Sequence, residues 1–310
     1  MSEYHAGGNT VRIVWIAERQ DIRFASFRLR CWYFHQELQR RGIPSTIYRG
    51  GRFPPADVVI LQKVFSPRHV RLARDLKEQG ICLMYNLSDG VPAGTINFAG
   101  TVQLLALCDR VIVNGRSLGE FFVNRYNPDW SVVEDPYDWT FAPSKHKNGK
   151  TRPRVFWHGS SKNYRLFVAS LRFKLHFSVE ALTDRTNPRW DLALFPDYVR
   201  PFEVGFAPLP LHNVYVLGKS GNKIVGYMAL GLAVIASDHP SYREVIRHGE
   251  NGLLGVTADD FNAAYEHLCD PVFRRRVAET GYQSVLDRFS VSTLTDKLLA
   301  VLQPSVEHER

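Results

Sequence analysis

The stretch that most constrains the fold of this 310-residue chain runs from Lys219 to Leu254. Ser220–Asn222 is typical of a helix start, and Gly231 is typical of the end of that helix. The apolar run Ala233–Ala236 then predicts a short parallel strand that is buried on both faces. A loop that leads into a helix beside such a strand collects free backbone N–H groups, so this stretch predicts an anion-binding site.

Two lysines add positive charge to the same place. Lys219 precedes the predicted helix and Lys223 lies in its first turn. Ammonium groups and helix N-terminal N–H groups both favour phosphate oxygens, and a diphosphate offers several of them. We therefore expect the diphosphate-binding residues to be Lys219, Ser220, Gly221, Asn222 and Lys223.

The same stretch resembles the C-terminal donor-binding domain of GT-B glycosyltransferases, in particular the large retaining family known as glycosyltransferase family four. The family pattern is K-x-x-E-Y-M-A-x-G-x-P-V-I-A-S, an acidic residue and a G-x-N-G-L-L turn. The matching residues here are Lys223, Tyr227, Met228, Ala229, Gly231, Val234, Ile235, Ala236, Ser237, Glu244, Gly249, Asn251, Gly252 and Leu253. The chain departs from the pattern at Gly226, where the family usually has the glutamate that contacts the nucleotide ribose. It departs again at Ala233, which replaces a proline, and at Gly218, where a partner glutamate is usual.

The resemblance implies an α/β chain of the GT-B fold, with two Rossmann-like, doubly wound parallel-sheet domains facing across a cleft. We expect an N-terminal acceptor-binding domain at 1–145 and a nucleotide-sugar-binding domain at 152–286. The last helix, at 287–310, is expected to cross back to the first domain. The implied activity is a hexosyl transfer that retains the anomeric configuration and needs neither a metal ion nor a cofactor, from a UDP- or GDP-linked sugar.

The rest of the chain alternates strand and helix patterns, which favours parallel sheets, and its length favours two domains. The strands predicted before residue 140 are Arg12–Ala17, Ser45–Tyr48, Asp57–Gln62, Ile81–Asn86, Arg110–Asn114 and Ser131–Glu134. The helices predicted there are Ser26–Arg41, Pro67–Gln79, Phe98–Cys108 and Ser117–Tyr126. After a polar linker at Ala142–Arg152, further strands are predicted at Val155–Trp157, Leu175–Val179, Leu192–Leu194 and Val204–Ala207. Helices are predicted at Phe261–Cys269, Pro271–Leu286 and Val291–Leu302.

Charge is unevenly distributed along the chain. Residues 1–74 hold thirteen Lys or Arg and five Asp or Glu, a net +8, which equals the formal net charge of the whole chain. A basic first domain favours an anionic acceptor, which is a glycan, a lipid-linked sugar or a nucleic acid, and peripheral contact with a membrane inner face. The alternative is that these arginines form a solvated surface without a binding role. Four scattered cysteines and the lack of a signal-like start predict a cytoplasmic location.

Ligands of open α/β sheets bind at the carboxyl ends of the strands, so the loops there supply the remaining site residues. Asp89 follows the fourth strand and Arg28 opens the first helix; both are candidate catalytic residues, although Asp89 before a glycine is also a common turn. The candidate acceptor contacts are Arg19, Arg23 and Trp32. In the second half, the loop His158, Gly159 and Ser160 corresponds to the loop that GT-B proteins place against the donor phosphates. His158 is either a phosphate donor or the cap of the next helix.

Other functions stay open as alternatives. Gly115–Gly119 has the form G-x-S-x-G of a hydrolase nucleophile elbow, but Ser117 followed by Glu120 is also the pattern of a helix capping box. Loss of the glutamate at Gly226 is consistent with a GT-B protein that binds a ligand or partner without turnover. The basic first domain also suits a nucleic-acid base-modifying glucosyltransferase, and a sugar-nucleotide epimerase shares the two-domain architecture.

Overall fold

The computed structural model describes residues 11–143, 152–169, 171, 174–183, 192–212 and 216–302. By its internal contacts the chain divides into two units. The first unit takes in the chain up to Asp135 and again from Val291, and the second unit lies between them. Most of the predicted linker, residues 144–151, lies outside the described part of the chain.

The first unit is built on a sheet of six parallel strands in the order β2-β1-β3-β4-β5-β6. Its strands are β1 (Ile13–Ala17), β2 (Ser45–Ile47), β3 (Val58–Gln62), β4 (Cys82–Leu87), β5 (Arg110–Val113) and β6 (Trp130–Val132). Its helices are α1 (Ala25–Phe27), a π-helical turn (Arg28–Trp32), α2 (Tyr33–Arg40), α3 (Pro67–Glu78), α4 (Phe98–Leu107), α5 (Arg116–Phe121), a 3₁₀ turn (Val123–Arg125) and α12 (Val291–Leu302).

Apolar side chains cover both faces of this sheet, as parallel strands require. Ile13 and Trp15 of β1 point to the face that α2 and α12 cover, where they meet Phe34 and Leu294. Val14 and Ile16 of β1 point to the opposite face of the sheet and pack against the helices there. All these side chains are fully buried, and each contributes about 1.5–3 kcal/mol through burial. The last helix of the chain is therefore part of the first unit's core.

The second unit has five parallel strands in the order β11-β10-β9-β7-β8. Its strands are β7 (Val155–His158), β8 (Val179–Leu182), β9 (Val204–Ala207), β10 (Ala233–Ser237) and β11 (Leu253–Gly255). Its helices are α6 (Ser161–Phe167), α7 (Phe195–Val199), α8 (Asn222–Ala229), α9 (Pro240–Arg243), α10 (Ala258–Cys269) and α11 (Pro271–Leu286). The two doubly wound parallel sheets confirm the predicted α/β class.

Three local predictions were wrong. Leu192–Leu194 forms a turn into α7 rather than a strand, because Pro196 starts a helix there. The strand predicted at Leu175–Val179 begins only at Val179, although Phe177 before it is buried in the core. The capping box at Ser117 is absent, because α5 begins one residue earlier with Gly115 as its N-cap.

The four cysteines are free thiols, and Cys31 and Cys108 are buried among apolar side chains. No helix within the described ranges combines the length and the apolar character that a membrane crossing demands.

Candidate functional site

The strand orders locate one crevice in each sheet. In the second sheet, β8 lies on one side of β7 while β9 and the later strands lie on the other, so the winding direction reverses between β7 and β9. Open α/β sheets bind ligands outside the carboxyl ends of the two strands at such a switch point. The residues that follow β7 here are Gly159 and Ser160, after His158 has ended the strand.

The loop after β7 is shaped by close packing. A Cβ atom on Gly159 would lie 2.6 Å from Cη2 of the buried Trp157 indole, so only glycine lets the chain turn at this point. The next residue, Ser160, caps α6: its Oγ accepts a hydrogen bond from the N–H of Asn163 at 3.2 Å. Ser160 therefore supplies the cap that was one of the two roles predicted for His158.

The backbone N–H of His158 donates to the hydroxyl of Tyr227 at 3.1 Å, and its Nδ1 lies 3.2 Å from the same oxygen. Tyr227 belongs to α8 and is fully buried. The imidazole also packs edge-on against the ring of Phe195, with centroids 4.9 Å apart. This packing fixes the position of the imidazole, and the hydrogen bonds join the end of β7 to α8.

Lys223 lies in the first turn of α8 and is directed at the same loop. Its Nζ donates to the backbone carbonyl of His158 and lies 4.5 Å from the centroid of the Trp157 ring. Burial, together with the positive charge of Lys219, lowers the pKa of Lys223 to about 7. An ammonium group held away from water in this way gains most from an anion placed beside it.

The N-terminus of α8 lies in the predicted anion-binding loop. Gly221 is its N-cap, and no side-chain cap bonds to the first-turn N–H groups among the described residues. Ser220, Gly221 and Asn222 are all partly exposed. The N–H of Lys219 donates to the carbonyl of Val216 at 2.9 Å, which turns the chain toward the helix. The structure thus brings both lysines, the α8 N-terminus and the His158–Ser160 loop to one edge of the second sheet.

Gly226 lies one turn further along α8, where the resemblance leads one to expect a glutamate. A Cβ atom at this position would meet no heavy atom of the described residues within 4 Å. The position is partly exposed, with an ordinary helical backbone. The helix therefore has room for a side chain at Gly226, and the carboxylate expected to contact a ribose is absent.

In the first unit, Arg19 and Arg23 lie in the loop after β1, and Arg28 begins the π-helical turn that follows α1. The Arg28 side chain is buried, and its Nη1 donates to the carbonyl of Ile22 at 2.6 Å, which holds the loop closed on itself. Arg23 forms a bidentate pair with Asp21, and the Arg19 guanidinium lies 4.6 Å from the ring centroid of Phe24. Arg28 thus braces this loop from inside, whereas Arg19 and Arg23 are exposed.

Trp32 ends the π-helical turn and packs beside Phe27 and His35, with ring centroids 6.5 and 5.9 Å away. His35 is buried, and its Nδ1 lies 2.9 Å from Ser45 Oγ. Burial and the charge of Arg49 lower the pKa of His35. Trp32, a predicted acceptor contact, is therefore packed against the core of the first unit and only partly exposed.

Asp89, the other catalytic candidate, follows β4. Its Oδ2 accepts a hydrogen bond from Lys63 Nζ at 2.6 Å, and each side chain is about one-third exposed. Lys63 directly follows β3, the neighbour of β4 in the sheet. Sequence reasoning counted Lys63 only as part of the basic surface. Its position directly after the third predicted strand of a doubly wound sheet is the signal that could have identified it.

Sequence reasoning also missed Arg30, which is 1% exposed, the lowest value of any charged residue that the structure describes in the first unit. Its guanidinium donates to Asn86 Oδ1 and to the carbonyl of Val133, and lies 3.4 Å from the Asp135 carboxylate. Burial lowers the pKa of Arg30, while Asp135 opposes that shift. The network ties the π-helical turn to the ends of β4 and β6, so its role is to hold the carboxyl edge of the sheet in place.

The chain is similar to known glycosyltransferases in part of its sequence and in its fold. Residues 193–270 match the family model described as glycosyl transferases group 1. The chain is 32% identical over 113 residues to the lipopolysaccharide core biosynthesis glycosyltransferase LpsE of Rhizobium meliloti. That match covers 34% of this chain and spans about a third, 32%, of the length of LpsE.

Solved structures match over nearly the whole chain. HepE of Anabaena, in complex with UDP and glucose, superposes with a TM-score of 0.65 at 15% identity, covering 94% of this chain and 99% of that one. Sucrose-phosphate synthase from Thermosynechococcus elongatus superposes with a TM-score of 0.59 at 13% identity, covering 92% and 79%. The chain therefore has the GT-B fold, and the segment that matches the glycosyl transferases group 1 model lies in its second unit.

Proposed function

We propose that the protein transfers a sugar from a nucleotide-diphosphate sugar to a hydroxyl group of an acceptor. One observation carries the proposal: Lys223, the His158–Ser160 loop and the N-terminus of α8 converge at the switch point of the second sheet. Positive charge and free N–H groups at such a place suit a diphosphate. The group 1 match over this segment and the UDP-glucose complex of HepE support the same ligand.

The donor is a UDP- or GDP-linked hexose. Lys219, Lys223 and the N–H groups of Ser220–Asn222 hold its diphosphate, and Gly159 lets the backbone approach the phosphates closely. In the transfer step the acceptor oxygen forms a bond to the anomeric carbon while the bond from that carbon to the phosphate oxygen breaks. The nucleoside diphosphate leaves with the electron pair, and the lysines stabilise its growing negative charge.

The acceptor binds to the first unit, at the loops that carry Arg19, Arg23 and Asp89. The hydroxyl proton passes either to Asp89 or to the departing phosphate. Retention of the anomeric configuration, independence of metal ions and membership of glycosyltransferase family four are the finer parts of this proposal, and they rest on the sequence resemblance. The LpsE match supports a glycan or lipid-linked sugar as the acceptor.

Gly226 favours a second candidate, a GT-B protein that binds a sugar nucleotide without turning it over. The open position on α8 lacks the carboxylate expected at the ribose. Release of UDP or GDP from the bound donor, with or without an acceptor, excludes this candidate. Binding of the donor with no release over many hours supports it.

Calorimetry with UDP-glucose and GDP-mannose tests the donor site. The double variant Lys219→Glu/Lys223→Glu should bind neither nucleotide sugar, because two positive charges at the diphosphate become negative. A matched control reverses Arg275 and Arg276, which are exposed on α11. Equal affinity of wild type and the Lys219/Lys223 variant for a donor would refute the proposed donor site, provided the control also binds.

A further inference from the structure

The first sheet repeats the winding of the second, so it has a switch point of its own. Here β2 lies on one side of β1 while β3 and the later strands lie on the other. Lys63 follows the carboxyl end of β3, and its backbone N–H donates to the carbonyl of Asn86 on β4 at 3.1 Å. Lys63 is thereby held at the place where the sheet topology favours a ligand.

The backbone of Lys63 is unusual. Its φ of +53° is the single positive value at a non-glycine residue within the described ranges. Side chains with a Cβ atom disfavour this left-handed conformation, and such residues cluster at functional sites. The conformation here accompanies the ion pair of Lys63 with Asp89, which joins the ends of two adjacent strands. Both side chains remain about one-third exposed, so a solute can reach them.

Buried polar groups lie next to this pair along the chain. Four buried side-chain atoms have no hydrogen-bond partner among the described residues: Gln62 Nε2 at the end of β3, Ser88 Oγ after β4, Asn114 Oδ1 after β5 and Ser117 Oγ in α5. Gln62 and Ser88 directly precede Lys63 and Asp89 in the chain, and Asn114 Nδ2 donates to the carbonyl of Ser88 at 2.9 Å. These atoms include a donor, an acceptor and two hydroxyl groups. Buried polar groups of this kind call for partners.

Lys63 and Asp89 together offer an ammonium donor and a carboxylate acceptor to a solute, and this combination decides the class of ligand. A phosphate or carboxylate offers only acceptors, whereas a hydroxyl group both donates and accepts. We infer that Lys63 and Asp89 bind a sugar hydroxyl group of the acceptor, with Asp89 accepting its hydrogen bond and Lys63 as the residue that positions the carboxylate. This inference rests on the proposed function and deepens it: the acceptor is polyhydroxylated at the point of contact, rather than anionic.

Three replacements of Lys63 test the inference. Lys63→Ala removes the ammonium group, and Lys63→Arg keeps a charge that reaches Asp89. Lys63→Gly also removes the ammonium group, and glycine adopts the left-handed backbone of this position without strain. The matched control is Lys77→Ala, because Lys77 forms a similarly exposed pair with Asp109, 2.9 Å apart, at the C-terminal end of α3.

Saturation-transfer NMR with a panel of methyl hexopyranosides measures sugar binding without turnover, and calorimetry with UDP measures the donor site separately. Lys63→Ala and Lys63→Gly should lose at least tenfold in sugar affinity while their UDP affinity stays unchanged. Lys63→Arg should recover part of the loss, and Lys77→Ala should bind sugars as the wild type does. Where transfer is measured, the acceptor KM should rise more than kcat falls.

The two proposals fail in different ways. Sugar binding that depends on Lys63, in a protein that neither binds UDP nor releases it from a donor, supports this site and overturns the proposed transfer. Transfer with an unchanged acceptor KM in Lys63→Gly overturns this site and leaves the proposed transfer standing. No sugar binding by the wild type also overturns the site.

Discussion

Replacement of Lys223 with methionine tests the electrostatics of the donor site in detail. Methionine keeps most of the side-chain volume over Trp157 and removes the charge. In the free protein the pKa of Lys223 is about 7, because burial and Lys219 disfavour the charged form. A bound diphosphate compensates for both effects and returns the pKa of Lys223 toward its ordinary value of 10.5. Nucleotide binding should therefore be accompanied by proton uptake at Lys223.

The magnitude follows from the two pKa values. At pH 8 about one-tenth of the free protein carries a protonated Lys223, so binding of UDP should take up about 0.9 proton. At pH 7 the uptake should fall to about 0.5 proton. Between pH 7 and pH 9 the affinity for UDP should decrease about 50-fold, or about 2.3 kcal/mol, because less protonated protein is available.

Calorimetry in two buffers with different ionisation enthalpies measures the proton uptake directly. The second phosphate pKa of about 6 means that UDP itself is fully ionised at pH 8 and contributes little. Lys223→Met should bind with no uptake and with nearly flat pH dependence. Lys219→Met should show less uptake than wild type at pH 8, because loss of the neighbouring charge raises the pKa of Lys223. Wild-type uptake near zero at pH 8, or equal uptake in Lys223→Met, would refute the reasoning.

Two further predictions concern stability. Gly226→Ala should raise the free energy of unfolding by about 1 kcal/mol in denaturant titration, because alanine favours the helix and its methyl group has open space; a lower stability would contradict that geometry. Arg40 and Arg41 lower the pKa of the Glu37 carboxyl to about 2, below its ordinary 4.5. The resulting stabilisation is complete above about pH 4.5 and is lost as the pH falls toward 2, so Glu37→Gln should flatten the acid limb of the stability curve. Equal acid sensitivity of variant and wild type would argue against these ion pairs.

The regular elements of the first sheet were predictable, because their signals are local. β1, β3 and β5 are continuous apolar runs, and the observed strands begin or end within one residue of the predictions. The long helices α11 and α12 begin and end where predicted. At Leu192–Leu194, in contrast, three apolar residues fit a strand as well as a helix. The helix begins beyond them because Pro196 favours a helix start and Phe195 packs against Phe156 in the core.

The candidate site was predictable only where the chain itself brings residues together. Lys219, Lys223 and the α8 N-terminus are neighbours in sequence, so the pattern identified them before the structure placed them against the His158 loop. Lys63 and Asp89 are 26 residues apart and meet because β3 and β4 are adjacent. Arg30 could not be recognised as a buried charge, because its partner Asp135 is 105 residues away.

The π-helical turn at Arg28–Trp32 sets the rotation of α2 about the helix axis. Its hydrogen bonds span one more residue than those of an α-helix, as the Tyr33 N–H to Arg28 carbonyl bond shows. Winding the same five residues as a regular α-helix would turn α2 by about 100° about its axis. Phe34 and Leu38 would then leave the sheet for solvent. The widened turn therefore acts as a spacer that the core of the first unit requires.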